Sequence, residues 1–386
     1  MIKRSLLEII VTARPSWARV KSLASHYLDI AGSDNLRITF IGPAVSDRYG
    51  NVSTGLSKMV NSYKFHSLQE SSNLEGVALT CVDSAKSIIN HWANERPDCA
   101  LIIADRTETL GIAMSASIMQ IPLIHLQGGE ISGSIDDKIR DANSKLADLH
   151  LTTNKFTKDR LIGLGEEESR IHVIGCPSID LVKEVKFTTK PLIDWSNSNS
   201  NLLGGVGANF TLSDPFGIIM FHPDTLNTLE SNFWIEKILS TVETSNINWL
   251  WFWPNPDYGS DLIAKKIRSS REKFEFNNVR FLVNLEPELF IELTLRSKVI
   301  VGNSSYGVRE ASYIGLKAIN LGNRQNGRQR GLNVIDIDIN SVDHQDFNDL
   351  ILSDRIPGSN LYGDGDAGRK GAEIIYNWAP SIKMRI

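Results

Sequence analysis

The stretch IPLIHLQGGEISGSIDDKIRDANSKLADLHLTT, Ile121–Thr153, contains one complete strand–helix–strand passage. IPLIHL is a short apolar run that stops at Gly128-Gly129. From Asp136 to Ala147 acidic, basic and aliphatic residues recur at helical spacing, and LHLTT is a second apolar run. Apolar runs that do not alternate, separated by helices, indicate parallel strands covered on both faces. The same alternation continues towards both ends of the chain.

On the N-terminal side LLEIIVT, LRITFIG and CALIIAD read as strands, and IHVIG follows LHLTT. Helices are expected over Trp17–Leu28, Val77–Asn94, Leu110–Met119 and Lys155–Leu164. WSNSNSNLLGGVGANFTLSD, Trp195 to Asp214, is polar, glycine-rich and without periodicity, as expected of a linker or a mobile surface loop. Strands then resume at FGIIMF, NWLWFW, VRFLV, KVIVGN, LKAINLG and NVIDI, with helices from about Glu230, Ser260, Pro287, Tyr306 and Ser341. The expected architecture is α/β, with two doubly wound Rossmann-like domains facing a cleft. They span 1–185 and 215–365, joined by a linker over 186–214. A final amphipathic helix within 366–386 packs back on the first domain.

At 386 residues the chain is longer than one core usually fills, which agrees with two domains. A formal net charge of -4 argues against nucleic acid as a partner but not against a nucleotide, which needs only local cations. The cysteines Cys81, Cys99 and Cys176 are scattered, without CxxC or Cys/His metal spacing, and fit a reducing cytoplasm. No metal and no cofactor is expected. MIKRSLLEIIVTARPS superficially resembles a signal peptide, but Glu8 interrupts it and no small-residue cleavage site follows. It reads as a buried first strand. No apolar run approaches the ~20 residues of a membrane span, so no membrane partner is expected.

In open parallel sheets ligands sit beyond the carboxyl ends of strands. Those ends carry Ala13-Arg14-Pro15-Ser16, Ala104-Asp105-Arg106-Thr107-Glu108, Gln127-Gly128-Gly129-Glu130, His222-Pro223-Asp224, Pro254-Asn255-Pro256-Asp257, Gly302-Asn303-Ser304-Ser305 and Gly322-Asn323-Arg324. Any single instance also suits an ordinary βα turn. GNSSYGVREA presents glycine, two serines and a helix start, which suits either an anionic phosphate or a plain N-cap. Arg309 and Arg324 add cations near that phosphate. His222 is either a phosphate contact or a turn histidine, and His125, inside a strand, reads as structural. Neither a Walker A loop nor GxGxxG after the first strand is present.

DRTE, GGEISGSIDDKIRDANSKLADLH, IGCPSID, WPNPDYGSD, GNSSYGVREA, INLGNRQNGR and LYGDGDA together resemble the hydrolysing UDP-N-acetylglucosamine 2-epimerases of sialic-acid synthesis. They also resemble relatives acting on a 2,4-diacetamido-2,4,6-trideoxy sugar nucleotide towards legionaminic acid. The resemblance implies a GT-B fold, a UDP-sugar substrate, a homodimer and a cytoplasmic location. It implies that His222, Ser304, Ser305 and Glu310 bind diphosphate and ribose, with Arg14 from the other domain. Asn255, Arg106 and Arg324 are carried over to the nucleotide site. Asp105 and Asp136 match the family's catalytic carboxylates, and Gln127, Glu130 and Asp141 accompany them as candidates. The implied chemistry eliminates the nucleoside diphosphate to a 2-acetamidoglycal and hydrates that glycal to the free manno-type sugar.

The chain departs from the family pattern at several positions. Gln127 stands where the sialic-acid branch usually has Glu, and Asp141 where a histidine usually follows the IR pair. Ile103-Ala104 replace a His-Gly pair, and TARPSW replaces an Arg-Ala-Asp-Tyr run. The nucleotide motifs are kept and the sugar motifs altered. Three readings follow: an epimerase of a different 2-acetamido sugar using Asp105, Asp136 or Asp141; a glycosyltransferase; or a nucleotide-sugar-binding protein.

Overall fold

The apolar runs form two seven-stranded sheets in the computed structural model. The structure describes residues 5–47, 60–69, 73–188, 190–224, 228–254, 259–273, 276–337, 350–351 and 354–378. The chain separates into two compact units. The first gathers the described residues of Met1–Glu130, Ile135–Leu181 and Tyr362–Ile386. The second gathers those of Ile131–Ser134 and Val182–Leu361.

In the first unit the strands are β1 (Leu7–Val11), β2 (Leu36–Ile41), β3 (Asn61–Phe65), β4 (Cys99–Ile103), β5 (Leu123–Leu126), β6 (Leu149–Thr152) and β7 (Ile171–Val173). They lie in the order β3-β2-β1-β4-β5-β6-β7, every pair parallel. The helices are α1 (Arg14–Ala18), α2 (Lys21–Ala31), α3 (Leu74–Asn94), α4 (Thr107–Ile118), α5 (Asp136–Leu146) and α6 (Lys155–Gly163). The division between units falls within α7 (Pro177–Phe187). Leu7, Ile9 and Val11 face one core with Leu23 and Tyr27 of α2, while Ile10 faces the other with Ile88, Trp92 and Ile112. Two covered faces explain why β1 shows no polar alternation.

Glu8 interrupts that run yet is fully buried, because four side chains around it hydrogen-bond to its carboxylate. Thr39 Oγ1 lies 2.6 Å away, Arg37 3.1 Å, His91 Nε2 3.1 Å and Trp92 Nε1 3.2 Å. A buried carboxylate persists only when paired and hydrogen-bonded in this way.

The second unit contains β8 (Val206–Gly207), β9 (Phe216–Met220), β10 (Asn248–Phe252), β11 (Val279–Leu282), β12 (Val299–Gly302), β13 (Lys317–Leu321) and β14 (Val334–Ile337). Their order is β14-β13-β12-β9-β10-β11-β8, parallel except for β8. Its helices are α8 (Thr228–Thr244), α9 (Ser260–Lys273), α10 (Pro287–Arg296), α11 (Ser305–Val308) and α12 (Glu310–Ile314). Trp249, Trp251, Phe281 and Ile319 stack into its core.

The stretch Trp195–Asp214, expected as a linker or loop, is partly built into this sheet. Val206 and Gly207 pair antiparallel with Phe281 and Arg280. The Arg280 guanidinium donates to the carbonyls of Gly204 at 2.6 Å and Ala208 at 3.2 Å. The helix expected from Tyr306 is two short pieces broken at Arg309, and the helix expected from Ser341 lies outside the described residues.

The tail helix α13 (Ala367–Trp378) packs on α2 in the first unit. Gly371 permits the approach, since a Cβ there would sit 2.8 Å from Leu23 Cδ1. Asp180 caps its start, accepting from the N–H groups of Ala367 at 2.9 Å and Gly368 at 2.6 Å. A carboxylate at a helix start satisfies otherwise unpaired donors.

Candidate functional site

A doubly wound sheet places ligands where the strand order reverses. In the first unit that point lies between β1 and β4, and in the second between β9 and β12. The candidate residues fall accordingly into two groups, one in each unit.

In the first unit β4 and β5 both end in an uncommon conformation. Ala104 has φ 58° and Gln127 φ 67°, left-handed values that cost a non-glycine residue about 1–2 kcal/mol each. Their amides still complete the sheet, Ala104 N–H donating to Leu126 O and Gln127 N–H to Leu151 O. The chain therefore turns sharply only after its last ladder bond, which re-aims Asp105 and the Gln127 side chain. Such strain is concentrated at functional sites.

His125 buttresses this turn. Its Nε2 lies 2.8 Å from the Ala104 carbonyl and its Nδ1 3.0 Å from Ser144 Oγ. A carbonyl only accepts, so the ring proton is on Nε2. Burial pushes the imidazole pKa down to about 4, against the upward pull of the Ala104 carbonyl. The ring is neutral at pH 7 and structural.

Arg140 of α5 organises the carboxylates. Its guanidinium is 1% exposed and ion-paired with Asp105. It also donates to Asp137 Oδ1 at 2.5 Å and to the Glu130 carbonyl at 2.8 Å. Burial works against the charge, but Asp105, Glu130 and Asp137 outweigh it and raise the pKa above the ordinary arginine value. Asp136 opens the same helix four residues earlier, on the face that carries Arg140. Glu130 is buried, with Thr153 Oγ1 3.4 Å from Oε1. Asp105, Glu130 and Asp137 are thereby grouped around one buried cation, with Asp136 on the same helix.

The other candidates in this unit are placed differently. Asp141 forms a two-pronged ion pair with Arg160 of α6, at 2.6 and 2.7 Å, and ties the two helices together. Gln127 is buried; its Nε2 donates to Cys176 Sγ at 2.9 Å, while Oε1 accepts no hydrogen bond. Arg106 caps α4 and donates to both oxygens of the buried Glu108, at 3.1 and 3.2 Å. Arg14 is half-buried at the start of α1, where desolvation lowers its pKa to about 10. A guanidinium in that position gains from an anion.

In the second unit His222 follows β9 and is buried against Asn303, which follows β12. His222 N–H donates to Asn303 Oδ1 at 2.8 Å, and Asn303 Nδ2 donates to His222 O at 2.8 Å. Gln325 Nε2 donates to Asn303 O at 2.8 Å. Ser304 Oγ accepts from Tyr306 N–H at 3.3 Å, so Ser304 does serve as a cap. The helix it caps is four residues long, too short for much macrodipole. Ser305 Oγ accepts from Arg309 NH2 at 3.0 Å, and Arg309 Nε is 3.8 Å from Glu310 Oε2. Both Arg309 and Glu310 are buried, so Arg309 points inward rather than towards solvent. Arg324 lies half-buried in the turn after β13, and Asn255 lies outside the described residues.

Arg140, Asn303 and Gln325 carry more of this geometry than the sequence assigned them. The available signals were an arginine one turn after an Asp pair, and an asparagine directly after an apolar strand. Among the described residues no group of three or more His, Cys, Asp or Glu side chains is arranged to hold a metal. No described helix is long and apolar enough to cross a membrane.

Comparison with known proteins follows the same lines. A family model described as UDP-N-acetylglucosamine 2-epimerase matches residues 44–376. A UDP-N,N'-diacetylbacillosamine 2-epimerase (hydrolyzing) from Legionella pneumophila is 30% identical over 285 residues, covering 74% of this chain and 72% of that protein. A UDP-N-acetylglucosamine 2-epimerase of Neisseria meningitidis is 27% identical over 387 residues, 97% of each chain. The fold matches the Methanocaldococcus jannaschii UDP-GlcNAc 2-epimerase, solved with UDP-GlcNAc and UDP. The TM-score is 0.75 at 15% identity, over 96% of this chain and 99% of that one. The two Rossmann-like units are of the GT-B type.

Proposed function

The chain belongs to the UDP-N-acetylglucosamine 2-epimerase family, and we propose that it is a hydrolysing 2-epimerase of a nucleotide-activated 2-acetamido sugar. The candidate substrates are UDP-N-acetylglucosamine and UDP-2,4-diacetamido-2,4,6-trideoxyglucose, the second suggested by the Legionella relative. The free manno-type product would serve nonulosonate synthesis of the sialic or legionaminic type. The observation that carries this reading is the carboxylate group around Arg140, at the carboxyl ends of β4 and β5.

In the reaction a base takes the C2 proton, and the C2–H electron pair becomes the C1=C2 double bond. The C1–O pair departs with UDP. Water then places hydroxyl on C1 and a proton on C2 from the opposite face. Proton removal and delivery at C2 each need a positioned acid or base, worth about 10²–10⁴-fold in rate. Asp105 and Asp136 are assigned this work. Asp105 is fixed in direction by its Arg140 ion pair, and Asp136 shares the helix face of that arginine. Charge accumulating on the departing diphosphate is assigned to Arg14, His222, Ser304 and Ser305, which offer a desolvated cation and hydrogen-bonding groups at strand ends.

The test is incubation with each UDP-sugar in D2O. The expected products are UDP and an equal amount of free sugar carrying deuterium at C2. UDP release that depends on an added acceptor, without C2 exchange, would make the protein a glycosyltransferase. Binding without release would make it a nucleotide-sugar-binding protein.

A further inference from the structure

We propose that Asn303 is a positioning residue for His222, acting as one extra peptide unit where the sheet of the second unit ends. The proposal rests on the reading of this unit as the UDP-binding one. Strands β9 and β12 pair in parallel up to Met220 and Gly302, and Asn303 N–H adds a last backbone bond to Met220 O at 3.1 Å. His222 lies just past the paired stretch, and the Asn303 carboxamide continues the ladder there, accepting from His222 N–H and donating to His222 O, each at 2.8 Å.

Both backbone polar atoms of His222 are thereby held by one side chain, so Asn303 fixes the backbone from which the imidazole projects. Asn303 is in turn held by Gln325 Nε2 on its own carbonyl at 2.8 Å. His222, Asn303 and Gln325 are 3%, 2% and 3% exposed, where an unpaired donor or acceptor is costly and alternative partners are scarce. The GNSS and NRQNGR motifs are joined by this chain of bonds. It gives the asparagine and the glutamine work distinct from touching the nucleotide.

UDP binding is measured by titration calorimetry for the wild type, His222→Ala, Asn303→Ala and the double variant. Asn303→Ala is expected to weaken UDP about tenfold or more in the wild-type background. It should cost less than about twofold once the imidazole is gone, because a contact acting through His222 cannot be lost twice. Equal losses in both backgrounds would overturn the proposal and leave Asn303 a fold residue.

Hydrogen exchange provides a readout independent of ligand: the His222 amide should exchange faster in Asn303→Ala, and unchanged protection would overturn the proposal even if UDP binds. Wild-type protein that binds no UDP would instead overturn the functional reading and this inference with it. Should the alanine variant not fold, Asn303→Ser stays neutral and polar but is too short to hold both backbone atoms of His222, and is expected to show the same dependence on His222.

Discussion

The buried guanidinium of Arg140 is ion-paired with the carboxylate of Asp105 at the carboxyl end of β4. The pair joins the end of β4 to the face of α5, so strand and helix present their carboxylates in fixed relation. Removing one partner of a buried pair leaves an uncompensated charge, whereas removing both often costs little.

Arg140→Met is therefore expected to lower stability by about 3–5 kcal/mol, read from urea unfolding followed by tryptophan fluorescence. It leaves Asp105, Asp137 and the Glu130 carbonyl without their shared donor, and C2 exchange should be lost with it. Retention of wild-type stability would mean the pair does not hold the turn.

Asp105→Asn and Asp136→Asn should each slow C2 deuterium exchange by about a hundredfold or more while UDP affinity changes only a few-fold. Asp105→Asn should also lose stability, since it weakens the compensation of Arg140. Asp136→Asn should not. Full turnover in both variants would remove these residues from the chemistry.

His125 makes stability depend on pH. Its folded value of about 4 lies below the ordinary 6.5, so the unfolded chain takes up the proton first. The contribution is complete above pH 6.5 and declines as the pH falls towards 4, by about 3 kcal/mol in total. Unfolding free energies between pH 7 and 4 should show this slope, and His125→Gln should flatten it. An unchanged slope in the variant would place the acid sensitivity elsewhere.

Gln127 holds a left-handed backbone for which glycine is better suited. Gln127→Gly should recover about 1 kcal/mol of strain, offsetting the lost bond to Cys176, so the melting temperature should barely move. Turnover should nevertheless fall. Gln127→Glu restores the residue usual in the sialic-acid branch, and a relative gain on UDP-N-acetylglucosamine would identify position 127 as a choice of sugar.

The strands most easily read from the sequence were those buried on both faces, such as Leu7–Val11 and Val299–Gly302, where no polar alternation confuses the run. Two of the edge strands were invisible for the complementary reason. Asn61–Phe65 is polar and largely exposed, and Val206–Gly207 is too short to show a pattern. The helix Pro177–Phe187 followed a strand too closely to be separated from the IGCPSID motif. Within the site, motif residues such as Asp105 and Ser304 stood out, but their partners did not. Left-handed Ala104 and Gln127 leave no trace in composition, because neither residue type favours that conformation. That Asp141 serves Arg160, and Asp105 Arg140, depends on which face of α5 turns inward.

The antiparallel strand β8 bears on how the protein behaves in a crowded solution. A parallel sheet ends in a row of open amides and carbonyls that another chain can extend. Here the β11 edge is covered by two residues, Val206 and Gly207, preceded by two glycines at positive φ and with neighbouring carbonyls taken up by Arg280. So short and bent a strand offers no straight template for a further one. The glycine-rich stretch thus works as a stopper against edge-to-edge aggregation.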